Sequence, residues 1–208
     1  MFNSAVFSQI HVPPVVFFIH THFFDSGFQD VVTFFSLGSA DDFADAMFRN
    51  WAGDDEVTKY LSWPTHKTVD DTKPVISRWI SGGMDQYKWA ITLKSCGSEA
   101  IGSLCITQIS EKTRTAHFGF ALGRHWWNQG IMTEALSAVI DFLFHEVGFN
   151  RIESRHDVEN VGSGAVMRKC GMTYEGRSRQ SHLNNLGLRD MDNYAILASD
   201  YKRRNTTC

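Results

Sequence analysis

The chain has 208 residues, with 20 Lys+Arg against 23 Asp+Glu, a formal net charge of -3 and 43% hydrophobic residues. That length suits one domain with a sizeable core. The near-balanced charge lacks the basic footprint of a protein that binds nucleic acid or an anionic membrane, so no nucleic-acid or membrane partner is expected.

Residues 1–48 hold no Lys or Arg and carry 11 of the 16 Phe. The run "VPPVVFFI" (12–19) is too short to span a bilayer and lacks the basic flank of a signal peptide. It reads as an irregular or partly stranded extension. His20 and His22 stand near Asp25 without a clear third and fourth ligand, so no metal site is expected.

From Ala40 onward the apolar spacing becomes helical. Phe43, Ala44, Met47, Phe48 and Trp51 recur three to four residues apart behind Asp41, Asp42 and Asp45. Gly53 and Asp54 end that helix, and Trp63-Pro64 marks a loop. A second helix is expected over 70–80, with Val75, Ile76, Trp79 and Ile80 inward and Pro74 near its first turn.

Three β-prone segments follow: "YKWAITL" (87–93), "IGSLCITQI" (101–109) and "AHFGFAL" (116–122), joined by short polar links. An antiparallel meander is the simplest arrangement. In the third segment Phe118, Phe120 and Leu122 point one way, and His117, Gly119 and Ala121 the other.

The strongest helical pattern then begins, with Met132, Ala135, Leu136, Val139, Ile140, Leu143 and Phe144 on one face and Gly148 as its C-cap. "RIESRHD" reads as a strand, "SGAVMRKCGM" as a short helix closed by Gly171, and "DNYAILASDY" as a final strand. Cys96, Cys105, Cys170 and Cys208 form no CxxC pair, which points to reduced thiols and a cytoplasmic setting. Residues 40–208 read as one α+β domain.

The chemistry-bearing stretch is "RHWWNQGIMTEAL" (124–136), where a strand, a glycine-containing turn and a helix follow one another. Backbone N–H groups at such a helix start can bind phosphate. Neither GxGxxG nor GxxxxGK[ST] is present, and the preceding strand belongs to a meander, which disfavours nucleotide-binding folds of the Rossmann or P-loop type.

The ordered blocks "RHWWNQGIMTEALSAVIDFLFHEVGFNRIES" and "ENVGSGAVMRKCGMTYEG" resemble the acetyl-CoA-binding core of GNAT N-acetyltransferases. The likeness is to the branch that includes the ribosomal-protein N-terminal acetyltransferases, and flanking segments extend it over roughly residues 40–202. The resemblance implies a mixed, largely antiparallel central sheet flanked by helices. It makes residues 34–208 an acetyltransferase domain and residues 1–33 an N-terminal extension. The family's first strand usually carries an "RLxLRP"-like sequence, whereas "DVVTFFSLGSADDF" stands in its place.

The resemblance further implies an acetyl-CoA-dependent transfer of an acetyl group to a primary amine, by direct attack in a ternary complex and with no metal. The acceptor is a small amine or a protein N-terminus, and a homodimer is left open. The family's pyrophosphate loop, Arg/Gln-x-x-Gly-x-Gly/Ala, meets His125, Asn128 and Gly130 here. The contacts are mostly main-chain, and Asn tolerates left-handed backbone. By the same likeness Phe120 and Leu122 would face the cofactor, and Trp127, Asn128, Gln129, Gly130, Met132 and Thr133 would hold it.

Asn160 and Ser163 form an "N-x-x-S" helix start, which is also an ordinary capping pattern. In the family the matching Asn reaches the pantetheine arm, and in this branch the matching Ser sits near the thioester sulfur. Met167 stands where many relatives have a proton-donating Tyr, leaving Ser163 as the donor to the sulfur. His117 occupies the position of a common Glu, as a base at neutral pH or as a strand residue without a role. These departures also fit a second reading, an acyl-CoA-binding sensor with little catalysis.

Overall fold

In the computed structural model the described residues are 31–34, 40–80, 87–93 and 99–205. His20, His22, Asp25, Cys96 and Cys208 lie outside them.

Seven strands form one sheet: β1 (Val31–Phe34), β2 (Lys88–Leu93), β3 (Gly102–Ser110), β4 (Thr115–Leu122), β5 (Arg151–Asp157), β6 (Thr173–Asn184) and β7 (Gly187–Leu197). Their order is β1-β2-β3-β4-β5-β7-β6, and every neighbouring pair is antiparallel except β4 with β5. The helices are α1 (Ala40–Met47), α2 (Asp55–Thr58), α3 (Val69–Ile80), α4 (Ile131–Phe142), α5 (Val161–Lys169) and α6 (Ala198–Asn205). The expected α+β class and meander are therefore present. Val31–Phe34 pairs with β2, so an edge strand forms despite its unusual sequence and runs across the expected boundary after residue 33.

The period-two pattern of the central strands sends alternate residues to opposite layers. Trp89 and Ile91 pack in the clusters that include α4, whereas Ala90 packs with Phe43, Met47 and Trp51 of the α1 region and Ile76 of α3. The seven α4-pattern residues named from the sequence are all buried, and Gly148 ends that helix in the left-handed conformation. Pro74 is accommodated inside α3.

One expectation is corrected. "DNYAILASDY" is not strand throughout, because β7 ends at Leu197 and Ala198 begins α6. Trp63-Pro64 lies in a loop, as expected, and ahead of it stands a short helix, α2, whose N-cap Asp54 accepts a hydrogen bond from the Glu56 N–H. The long strand β6 escaped sequence reading because it is an edge strand whose side chains are mostly exposed, so no apolar alternation marks it.

One feature of the sheet positions the site. β4 and β5 are paired only at Thr115↔Arg151, Ala116↔Ile152 and His117↔Glu153. Beyond this point β4 stays bound to β3 and β5 to β7, so their facing edges part. At the root of the opening the buried Ser154 hydroxyl donates to the Phe118 carbonyl at 2.7 Å, replacing a ladder bond that the divergence removes. Such a bond stabilises by about 1 kcal/mol.

Candidate active site

The parting strands open into a cleft of about 450 Å³. One wall is the end of β4, at Phe120, Ala121 and Leu122; another is the turn before α4 together with its first residues; a third is the start of α5. Glu56, Lys59 and Tyr60 line it from the α2 side.

The two tryptophans of the turn act as staples. The Trp127 indole N–H donates to the Leu122 carbonyl at 2.7 Å, tying the turn to the end of β4. Trp126 packs beside the cluster containing Leu122, Ile131 and Met132. It comes so close to Gly123 that a Cβ there would lie 2.6 Å from its ring.

The turn then adopts two left-handed residues, Asn128 at φ 61° and Gly130 at φ 82°. Gly130 is the N-cap of α4 and supplies no capping side chain. An anion can therefore be received by the N–H groups of the first helical turn, where the helix dipole also favours negative charge. Asn128, Gly130, Ile131, Met132 and Thr133 all border the cleft.

The start of α5 faces this turn. Asn160 is the N-cap, and its Oδ1 accepts from the Ser163 N–H at 3.3 Å. Both residues border the cleft. Met167 does not: it is fully buried in the core cluster. Gly164 lets α5 pass close to the His156 ring, since a Cβ there would lie 2.6 Å from Nε2.

Of the residues singled out from the sequence, Phe120, Leu122, Trp127, Asn128, Gly130, Met132, Thr133, Asn160 and Ser163 share this cleft. The side chain of Gln129 instead donates to the His125 carbonyl at 2.8 Å. His117 lies at the root of the opening, on the sheet face opposite Phe118, and is outside the cleft lining. Its Nδ1 is 2.8 Å from the Thr107 hydroxyl oxygen. Burial, helped by the positive charge of Arg155 and opposed by Glu153, lowers its pKa below the ordinary 6.5, so the ring is neutral at pH 7.

Sequence reading missed Tyr60, Glu159 and Lys169, which also border the cleft. The Tyr60 hydroxyl reaches the Glu159 carbonyl at 3.5 Å, joining the α2 side to the approach of α5. It also missed Asn185, at the turn between β6 and β7, whose amide donates to the Thr58 and Trp63 carbonyls at 2.9 and 2.8 Å. The "NNLG" turn was a readable hairpin signal; the docking of its tip was not. Trp63 and His66 stand against each other with ring centres 5.1 Å apart, away from the cleft lining.

Among the described residues, no three His, Cys, Asp or Glu side chains are grouped as metal ligands. None of the described helices is long and apolar enough to cross a membrane, which says nothing of a β-barrel.

A sheet opened between two parallel neighbours, with an uncapped helix start at the opening, can seat an anionic co-substrate against backbone N–H groups. The family model described as "Acetyltransferase (GNAT) domain" matches residues 34–173, and the chain belongs to that family. It is thus an acetyltransferase, with acetyl-CoA as its co-substrate.

Among its relatives, the uncharacterized N-acetyltransferase p20 of Bacillus licheniformis is 27% identical over 160 residues, covering 76% of this chain and 89% of that one. The ribosomal-protein-serine acetyltransferase of Escherichia coli K12 is 26% identical over 137 residues, covering 65% and 75%. The fold matches the solved structure of RimL, a ribosomal L7/L12 α-N-protein acetyltransferase, in complex with coenzyme A. The TM-score is 0.70 at 21% identity, over 82% of this chain and 96% of that one.

Proposed function

We propose that this acetyltransferase acts on a primary amine, of a small molecule or a protein N-terminus, by direct attack within a ternary complex. The observation that carries this reading is the convergence of the uncapped α4 start, the Asn160–Ser163 helix start and the end of β4 on one cleft. Acetyl-CoA supplies an acetyl thioester, and the chain's own groups do the rest.

The first-turn N–H groups of α4 and the turn at Asn128–Gly130 hold the pyrophosphate. Asn160 holds the pantetheine arm, a role its capping geometry leaves open because only Oδ1 is engaged. Phe120 and Leu122 form the strand wall along which the thioester lies, and a backbone N–H of this segment binds the carbonyl oxygen as charge develops on it. His117, neutral at pH 7, accepts the amine proton directly or through water. The new C–N bond forms as the C–S bond breaks. Ser163 passes a proton to the departing sulfur and regains one through water, into which His117 releases the proton it took, so the amine's proton is balanced by the one gained by the thiol.

The test is free-thiol release from acetyl-CoA with a panel of amines. Amine-dependent turnover is expected; acetyl-CoA binding without turnover would favour the sensor reading. Gly130→Pro should weaken acetyl-CoA at least about tenfold, because proline cannot reach the left-handed φ of this position. Unchanged affinity, in a protein whose circular dichroism is native, would overturn the phosphate-loop assignment.

A further inference from the structure

The face of β5 that carries His117's partner is rich in charge. Glu153, Arg155 and Asp157 follow Arg151 at alternate positions and share that face. Two arginines absorb the carboxylates around them. Arg151 is paired with Glu153 at 2.7 Å and with Glu175. Arg189 of β7 is paired with the buried Asp157 at 2.8 Å and with Glu159 at 2.6 Å.

Arg155 is left over. Among the described residues no carboxylate lies within 4.0 Å of its guanidinium, and its near polar neighbour is His182 Nδ1 at 3.5 Å, at the limit of a hydrogen bond. It is half-buried, where an unpaired cation is costly unless a ligand or water completes it.

Its place in the fold gives the charge a direction. His117↔Glu153 is the last β4–β5 pair, so Arg155 is the first residue on this face beyond the point where the strands part. It therefore stands beside the opening, on the side opposite α4 and α5. The histidines on either side, His117 and His182, both have lowered pKa values, each with burial as the first cause and Arg155 as the second. They are neutral at pH 7 and offer no competing charge.

We propose that Arg155 is a specificity-determining residue that binds a carboxylate of the acceptor, so the preferred substrate is an amine bearing a carboxylate. The inference rests on the acetyl-transfer reading above and names the substrate class for it. A planar guanidinium accepts a carboxylate as a bidentate pair. Strand spacing and rise put the Arg155 backbone on the order of 8 Å from that of His117, so a carboxylate at Arg155 and an amine at His117 can belong to one amino acid or to a peptide with an acidic residue near its N-terminus.

The experiment compares acid and amide members of matched acceptors at saturating acetyl-CoA: free amino acids against their amides, and peptides beginning Ala-Asp against Ala-Asn. The wild-type protein should show a KM about 10- to 100-fold lower for the acid member, as a charged hydrogen bond implies. The pair with the larger ratio tells a small-molecule acceptor from a peptide. Arg155→Gln should erase the ratio of KM values, and Arg155→Lys should restore part of it. Equal KM values for acid and amide in the wild type, or a preference that survives Arg155→Gln, overturns the inference while leaving acetyl transfer standing. No turnover with any amine overturns both.

Discussion

The face of β4 and β5 that meets α4 and α5 carries Phe118, Ile152 and Ser154, all buried. The opposite face of the same strands carries His117, Glu153 and Arg155, all half-buried and polar. On the first side, the cleft is bordered by backbone at the ends of elements: the α4 start, the left-handed turn and the α5 start. On the second, the polar groups are side chains on regular strand. The difference teaches how one fold can keep a common co-substrate while changing its acceptor. Backbone donors survive most substitutions, whereas a strand side chain can be exchanged without altering the ladder that supports it.

That contrast can be broken most directly by stability. Phe118→Ala should destabilise the protein by about 3–5 kcal/mol, because the ring is fully buried between sheet and α4. Glu153→Gln on the other face should cost about 0–1 kcal/mol, since its pair with Arg151 is partly exposed. Chemical denaturation measures both, and similar losses would mean that the two faces are not energetically distinct.

A smaller effect separates catalysis from capping at the α5 start. Ser163→Ala should lower kcat about tenfold with a modest change in the KM for acetyl-CoA, since water can replace part of the hydroxyl's proton transfer. Asn160→Ala should raise that KM and also cost about 1 kcal/mol of stability, because Asn160 caps the helix as well. If both variants show only a lowered melting temperature, the pair is a cap and nothing more.

The smallest effect concerns His117, and its sign follows from the polar face. Burial first, and Arg155 second, favour the neutral ring, so its folded pKa lies below 6.5. As base it is active above that pKa and is lost as pH falls through it. The kcat/KM profile should therefore rise with pH through an ionisation below 6.5 and level off above it. His117→Ala should remove this limb, and His117→Glu should retain activity with the limb at lower pH, one acceptor being used throughout. An unchanged profile in His117→Ala assigns the proton to water or to another group.

Much of the fold was legible because its strongest signals are local. The α4 face, the Gly148 cap and the alternation of Phe118 and Leu122 against His117 are periodicities read within one element, and all are realised. The glycine turn was equally local, and Asn128 takes the left-handed backbone it needed. The polar β6 edge left no such mark, and the switch from β7 to α6 fell within one apolar-to-polar run that period alone divides poorly.

The sequence by itself determined the α+β class, the family resemblance and most of the cleft's turn and helix starts, because hydrophobic period, glycine and caps act over a few residues. Only the tertiary structure decided that β4 and β5 part after His117, that Tyr60 reaches across to Glu159, and that Asn185 fastens the hairpin to the α2 segment. Only it decided, too, that Arg151 and Arg189 take up the surrounding carboxylates and leave Arg155 unmatched. Those outcomes depend on which strands become neighbours and which distant side chains compete for the same partner, and no window along the chain contains both sides of that competition.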